Sequence, residues 1–260
     1  MSFLQRVKHN YRQIKDALKY KEMYGTFIYV AIFSGIYPNF VDYMYFYLTS
    51  ADHIGMSTQA YGVIRMLEYL GQFIGAVVYA LCLKNLSLRT HLGLAALIMV
   101  LEALGNLAFC KGLYFGLPPE VYYGVVMLFG DSSIMCFYWM PTMAAVAKMI
   151  PSSVESAVFA LFMGLGNLSR LFLSKIVGNW INLYFNVTRE DMSNLWKLFM
   201  AQAVLGLVPL VLVWMLPTTK QVQEVQREVK EKDEGVAKQS ETKPKQDVEL
   251  SETAKPLENG

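Results

Sequence analysis

The sequence predicts an all-α polytopic membrane protein with six transmembrane helices in a single domain. Three observations predict it. Hydrophobic residues make up 54% of the 260 residues, and the mean hydropathy is +0.31. The apolar residues gather in six runs, roughly 25–48, 58–83, 92–110, 119–147, 155–181 and 195–216, each long enough to cross a bilayer as a helix. Charges are sparse between residues 23 and 216, with nine bases and nine acids, several of them in short loops.

The chain divides into three parts. Residues 1–24 form a basic amphipathic segment, with six bases and two acids up to residue 22. Phe3, Leu4, Val7, Tyr11, Ile14 and Leu18 recur near helical spacing, as in a helix lying along an anionic leaflet. The start lacks the apolar core and cleavage site of a signal peptide. Asp16, Glu22 and the scarcity of serine argue against a transit peptide. Residues 25–216 form the six-span domain. Residues 217–260 carry eight bases and ten acids with few large apolar side chains, a composition that predicts a disordered tail.

Loop charges orient the spans, because basic residues in short loops favour the cytoplasm. A cytoplasmic start puts Lys84, Arg89 and Lys148 inside and Asp52, Lys111, Glu120 and Arg189–Asp191 outside. Both termini are then cytoplasmic. Asn186-Val187-Thr188 falls in an outside loop, open to glycosylation, whereas Asn85 lies inside and Asn167 within a span. The plasma membrane is the expected location, with an organellar membrane the alternative.

Charges within spans are costly and face cavities or each other. At 1.5 Å per residue, Glu68 and Glu102 lie ~15 Å into spans two and three, Asp131 ~18 Å into span four and Arg170 ~22 Å into span five. Arg65 and Glu68 are three apart and share a helix face. Arg170 has no acid at i±3 or i±4. A guanidinium inside the bundle needs an anion: either a carboxylate, Asp131 or Glu102, or a substrate. Asp42 lies in the outer third of span one, and Lys175 is near enough to the outer end of span five to snorkel. Pro38 and Pro141 each remove a backbone donor and kink their helices, beside Asn39, Asp42 and Asp131. Ser152 to Glu155 after Pro151 has the form of a capping box.

The chain carries no soluble-enzyme motif. Gly164-Leu165-Gly166 follows no strand, and His9, His53 and His91 fit no metal pattern. Cys82, Cys110 and Cys136 read as free thiols packed as small apolar residues. No catalysis, cofactor, metal or nucleic-acid partner is expected.

Two segments, GDSSIMCFYWMPTMAAVAKMIPSSVESAVFALFMGLGNLSRLFLSKIVG (130–178) and IYPNFVDYMYFYLTSADHIGMSTQAYGVIRMLEYLGQFIGAVVYALCLKNLSLRT (36–90), resemble the folate-biopterin transporter family of the major facilitator superfamily. Asp131, Pro141, Pro151, Glu155, Ala160, Asn167 and Leu168 fit the first family pattern. Pro38, Asp42, a Phe-Tyr-x-Thr helix end and the Lys84-Asn85…Arg89 loop fit the second. The likeness covers most of 25–216, in order. It implies half of a major-facilitator-type bundle, the second six of twelve spans, and transport of folate or pteridine substrates with protons. Ser169 replaces the family's glycine after Asn-Leu, and Arg170 after it lies outside the pattern.

The residues expected at the substrate are Asp131, Arg170, Asn167, Asp42, Asn39 and Trp139. Asp131, Glu102 and Glu68 are candidates for the proton. A carboxylate accepts paired N–H donors from a pterin edge, Trp139 stacks on the ring, and Arg170 suits the anionic folate tail. Since facilitator sites lie between two halves, the expected partners are the lipid bilayer, the substrate, and a second copy or another six-helix half. The rival reading is a non-transporting truncated paralogue or an assembly or regulatory subunit of a full-length transporter.

Overall fold

A computed structural model describes residues 11, 12, 15, 19–232, 234 and 235. The predicted basic amphipathic segment lies largely outside these residues, as does the tail beyond residue 235. Among the described residues the chain is helical and has no strand.

The helices in order are α1 Lys21–Ile36, α2 Val41–Thr49, α3 Thr58–Val78, α4 Leu88–Cys110, α5 Pro119–Ile134, α6 Met140–Met149, α7 Glu155–Leu168, α8 Ser174–Phe185 and α9 Leu195–Leu212. Three π-turns lengthen or join them. Tyr79–Leu83 extends α3, Met135–Trp139 joins α5 to α6, and Ser169–Leu173 joins α7 to α8. Five continuous helical rods are therefore long and apolar enough to cross a membrane: Thr58–Leu83, Leu88–Cys110, Pro119–Met149, Glu155–Phe185 and Leu195–Met215. They match predicted spans two to six closely and make this an all-α, polytopic membrane protein.

The first predicted span is not one helix. It is broken over Tyr37–Phe40 into α1 and α2, of 16 and 9 residues. Pro38 is the cause. The residue before a proline is pushed out of the α region, and Tyr37 sits at φ −78°, ψ 109°. The expected kink is a complete interruption. At Pro141 the rod instead continues: the π-turn Met135–Trp139 ends two residues before the proline, and interruptions of a helix's hydrogen-bond ladder gather at prolines and π-bulges.

Two apolar cores hold the bundle. One joins Met23, Phe27 and Phe33 of α1 to Leu92 and Met99 of α4, and to Val146, Met149, Val158 and Phe162 of α6 and α7. The other surrounds Phe40, Leu48, Phe109, Tyr123, Leu198 and Phe199. Helices α3 and α5 meet backbone to backbone. A Cβ on Gly71 would stand 2.8 Å from the Leu128 carbonyl oxygen, and one on Gly75 would collide with the Ser132 carbonyl. Glycine is required at both positions for this approach, the small-residue packing of membrane helices.

Two further expectations are corrected. Residues 219–232, placed by composition in a disordered tail, are helical. Val222, Val225 and Val229 of this helix are buried in the first core. Their spacing gives the otherwise charged segment one narrow apolar stripe, enough to dock it. The α-helix expected to start just after Ser152 starts later: Ser152–Val154 form a 3₁₀ turn and the α-helix begins at Glu155. Glu155 thus occupies the first turn, where the helix dipole favours an acid. Cys82, Cys110 and Cys136 are free thiols, exposed, half-buried and buried respectively.

Candidate functional site

The interruption at Tyr37–Phe40 exposes backbone groups in the middle of an apolar bundle, and protein side chains meet them. Gln202 Nε2 donates to the Pro38 carbonyl at 2.8 Å. The Val41 amide donates to Asn39 Oδ1 at 3.0 Å, so the Asn39 side chain caps α2. Tyr37 donates its hydroxyl to the Met99 carbonyl on α4 at 2.9 Å. Irregular backbone inside a membrane is tolerated where protein or a cavity surrounds it, and here both do.

The cavity beside the break measures about 250 Å³. Phe33 and Ser34 of α1 form one wall with the break itself. Met99, Glu102 and Asn106 of α4 form the second, and Phe199 and Gln202 of α9 continue it. Asp131 of α5, Tyr138 and Trp139 of the second π-turn, and Arg170 of the third complete the boundary. A second cavity of about 450 Å³ lies against the first and shares Asp131, Ile134, Trp139 and Arg170 with it. Its remaining lining includes Gln72 and four methionines: Met135, Met140, Met143 and Met163. Asp131, Trp139 and Arg170 therefore stand between two spaces.

The π-turns place two of these three side chains. A π-turn inserts a residue into the helical register and so rotates the next stretch of helix, and such turns concentrate at functional sites. Trp139 ends one and Arg170 lies within another.

The acids are arranged unevenly. Asp131 Oδ1 accepts from Gln72 Nε2 of α3 at 3.2 Å. Glu102 makes no hydrogen bond or ion pair among the described residues. Its carboxyl group rests against Gly130 of α5, where a Cβ would come within 2.8 Å of it. Glu68 is buried and ion-paired with Arg65 one turn earlier on α3, as their spacing predicted.

The aromatic wall is pre-built. Phe33 and Tyr138 stack with centroids 4.2 Å apart and planes 11° from parallel. The Tyr138 and Ser34 hydroxyls are 2.7 Å apart, and Trp139 meets Tyr138 edge-on at 5.1 Å.

The structure thus brings together Asp131, Glu102, Asn39, Trp139 and Arg170, with Pro38 beside them. It leaves out three predicted residues. Asn167 is exposed and lines neither cavity. Asp42 also lies outside both and meets Lys175 of α8 at 3.3 Å. The Lys175 ammonium, expected to reach toward the interface, is instead held by that carboxylate. Glu68 stays with Arg65. The Asp131–Arg170 pair, one of the alternatives the sequence left open, does not form: Arg170 makes no ion pair among the described residues and is exposed rather than enclosed. The third π-turn turns its position toward the open side of the bundle, while Asp131 is already engaged by Gln72. Asn106 and Gln202, not anticipated, line the first cavity. Their only sequence signals are the i,i+4 relation of Asn106 to Glu102 and the isolation of Gln202 in an apolar span. Among the described residues, no cluster of three or more His, Cys, Asp or Glu side chains is placed to hold a metal.

Asn186 ends α8 in the left-handed conformation, φ 51° and ψ 46°, one that asparagine tolerates. It is exposed, and Thr188 Oγ1 accepts from the Asp191 amide at 3.1 Å.

A profile of the BT1 family matches residues 1–236. The chain belongs to the BT1 family. The BT1 match takes in the broken helix, the cavity and the docked helix over 219–232. Among curated relatives, the probable folate-biopterin transporter 6 of Arabidopsis thaliana is 26% identical over 203 residues, covering 77% of this chain and 40% of the relative. The probable folate-biopterin transporter 2 of the same plant is 29% identical over 178 residues, 66% of this chain and 35% of the relative. Folate transporter 1 of Plasmodium falciparum (isolate 3D7) is 22% identical over 231 residues, 84% of this chain and 45% of the relative. The chain thus spans less than half the length of each of these BT1 relatives. No solved structure matches it.

Proposed function

We propose that this chain forms one six-span half of a transport path for folate or pterin substrates, binding them in the cavity beside the broken first span and moving them together with protons. The observation that carries the reading is the placement of Arg170: a cation at an apolar helix face, without an anion among the described residues and bordering the cavity. Leaving such a group toward lipid costs about 2.5–3.5 kcal/mol on insertion scales. A folate tail supplies its anion, and a second six-helix half, from another copy or another chain, covers the face. Broad apolar exposure on the same rod supports such a cover: Leu168, Leu171 and Phe172 are 55%, 54% and 58% exposed.

In this reading Asp131 and Arg170 contact the substrate, Trp139 lies against its ring and Asn39 holds the break open. Glu102 and Asp131 carry the proton, since Glu68 is held by Arg65. Both termini are cytoplasmic, the plasma membrane is the site of action, and Asn186 is the glycosylation acceptor. The names of the BT1 relatives supply the substrate class.

The test is uptake of labelled folate and biopterin by cells that lack both activities and express this chain. Uptake above the vector control, raised by an inward proton gradient and collapsed by a protonophore, is the expected result. A chain that reaches the membrane folded and yields no uptake, alone or with a complementary six-span half of a BT1 relative, would overturn the proposal.

A further inference from the structure

Resting on that reading of the substrate, the geometry points to an orientation for it: the N–H-bearing edge of the heterocycle is read by the amide oxygens of Asn106 on α4 and Gln202 on α9, leaving the anionic tail directed to Arg170, the exposed cation on the same cavity's boundary. Asn106 and Gln202 are 6% and 7% exposed, and both line the cavity. Neither Asn106 Oδ1 nor Gln202 Oε1 has a hydrogen-bond partner among the described residues. A buried amide oxygen left unpaired is destabilising, and with both side chains lining one cavity a ligand donor can offset that cost.

The neighbouring groups complete an acceptor surface. Glu102 stands one turn before Asn106 on the same face of α4, with no donor of its own. Gln202 uses its amide nitrogen on the Pro38 carbonyl, which fixes the side chain with its oxygen unused. Asp131 is a poorer reader of paired N–H groups, because Gln72 already donates to its Oδ1. A ligand suited to this surface offers adjacent N–H donors on a flat ring, as the 2-amino and N3–H groups of a pterin do. The stacked Phe33–Tyr138 pair borders the same space and suits a flat ring. A site whose own acceptors are buried and unpaired rejects a ligand lacking the matching donors far more strongly than it rejects a change of size.

The experiment compares uptake of biopterin with that of its 2-dimethylamino, N3-methyl analogue, whose ring donors are blocked, in the same transport-deficient cells. The wild-type chain should prefer biopterin by at least tenfold. Asn106→Leu removes the oxygen while keeping the branching and the number of side-chain heavy atoms. It should cut biopterin uptake at least tenfold, leave the analogue unchanged, and hold or raise the melting temperature of the ligand-free protein, an outcome that a purely structural amide would not give. Gln202→Leu should also lose the preference, with some destabilisation from its freed Pro38 carbonyl. Equal wild-type uptake of the two compounds overturns the orientation even if a variant fails to fold, as does an Asn106→Leu chain that keeps the full preference. No wild-type uptake of either compound or of folate, with the complementary half supplied, would instead defeat the transport reading, and the orientation with it.

Discussion

The two long walls of the bundle handle their polar groups in opposite ways. On the α3–α5 wall, Glu68 is buried against Arg65, Gln72 reaches across to Asp131, and Gly71 and Gly75 let the two backbones touch. On the α7–α8 wall, Arg170 and Asn167 are exposed, and Trp180, Leu183 and Tyr184 beyond them are 74%, 82% and 84% exposed. Both walls derive from apolar runs with a few charges inside them. The first wall satisfies its charges within the chain and the second leaves its charge for something else. A membrane-embedded charge is thus no single kind of signal: its meaning depends on whether a partner stands within a helical turn or a helix contact.

The sharpest way to break this comparison is at the closed wall. Gly75→Leu places a branched side chain where the Ser132 carbonyl already lies. We expect a loss of at least about 3 kcal/mol, the upper range for overpacking, seen as aggregation of the detergent-solubilised protein on size exclusion. Gly164→Leu, on the open wall with nothing within 4 Å of a new Cβ, should elute as the wild type does. Equal behaviour of the two variants would erase the distinction between the walls.

Next comes the ion pair. Arg65→Met leaves the Glu68 carboxylate buried without its cation. The Arg65 side chain is 40% exposed and that of Glu68 is 4% exposed, so the loss is smaller than for a fully enclosed pair, about 2 kcal/mol. Arg65→Met with Glu68→Leu should recover most of it, since removing both charges removes the desolvation cost as well. Thermal melts of the three variants and the wild type form the cycle, and a double variant no better than Arg65→Met would refute the pairing.

Arg170→Ala should behave in the opposite manner. With no protein partner, its removal should leave stability within about 0.5 kcal/mol. Folate uptake should fall about tenfold, roughly 1.4 kcal/mol, while biopterin, which lacks the anionic tail, is spared. Equal loss for both substrates with a lowered melting temperature would move Arg170 to the closed class.

These contrasts also mark how far the sequence alone was readable. Spans two to six were legible because long apolar runs have few other outcomes, and the Arg65–Glu68 pair because i,i+3 geometry is local. Pro38 announced an irregularity but not its extent: whether a helix kinks or breaks depends on partners for the freed backbone, here Gln202, which lies 164 residues from the Pro38 carbonyl that it meets. The helix over 219–232 was hidden by its charge, because three valines form too narrow a stripe to show in composition. Asn106 and Gln202 had no motif to announce them, since a lone amide in an apolar run acquires meaning only when the helices beside it are known. Arg170 lies in the π-turn Ser169–Leu173, which no propensity scale anticipates, and Asp131 is engaged by Gln72 from another helix, so the absence of their pair was not legible either.

The smallest effect separates the two walls at their edge. Lys175 on α8 meets Asp42 on α2 at 3.3 Å, with side chains 52% and 72% exposed, so this pair joins the open wall to the second half of the broken span. Its strength depends on where the membrane surface lies. In water, an ion pair this exposed contributes about 0–1 kcal/mol, less as salt rises. In the headgroup region the same charges are less screened, and the pair gains strength. Asp42→Asn and Lys175→Gln should therefore each change the melting temperature of the detergent-solubilised protein by no more than about 0.5 kcal/mol equivalent, with the double variant additive within ~0.3 kcal/mol. Reconstituted into bilayers, the same cycle should show coupling above that limit, because α2 and α8 are then held across a less polar interface. Coupling that is absent in both settings would make the contact incidental. Strong coupling already in detergent would show that the open wall is anchored to the broken span by the protein alone, and the contrast between the walls would narrow to Arg170.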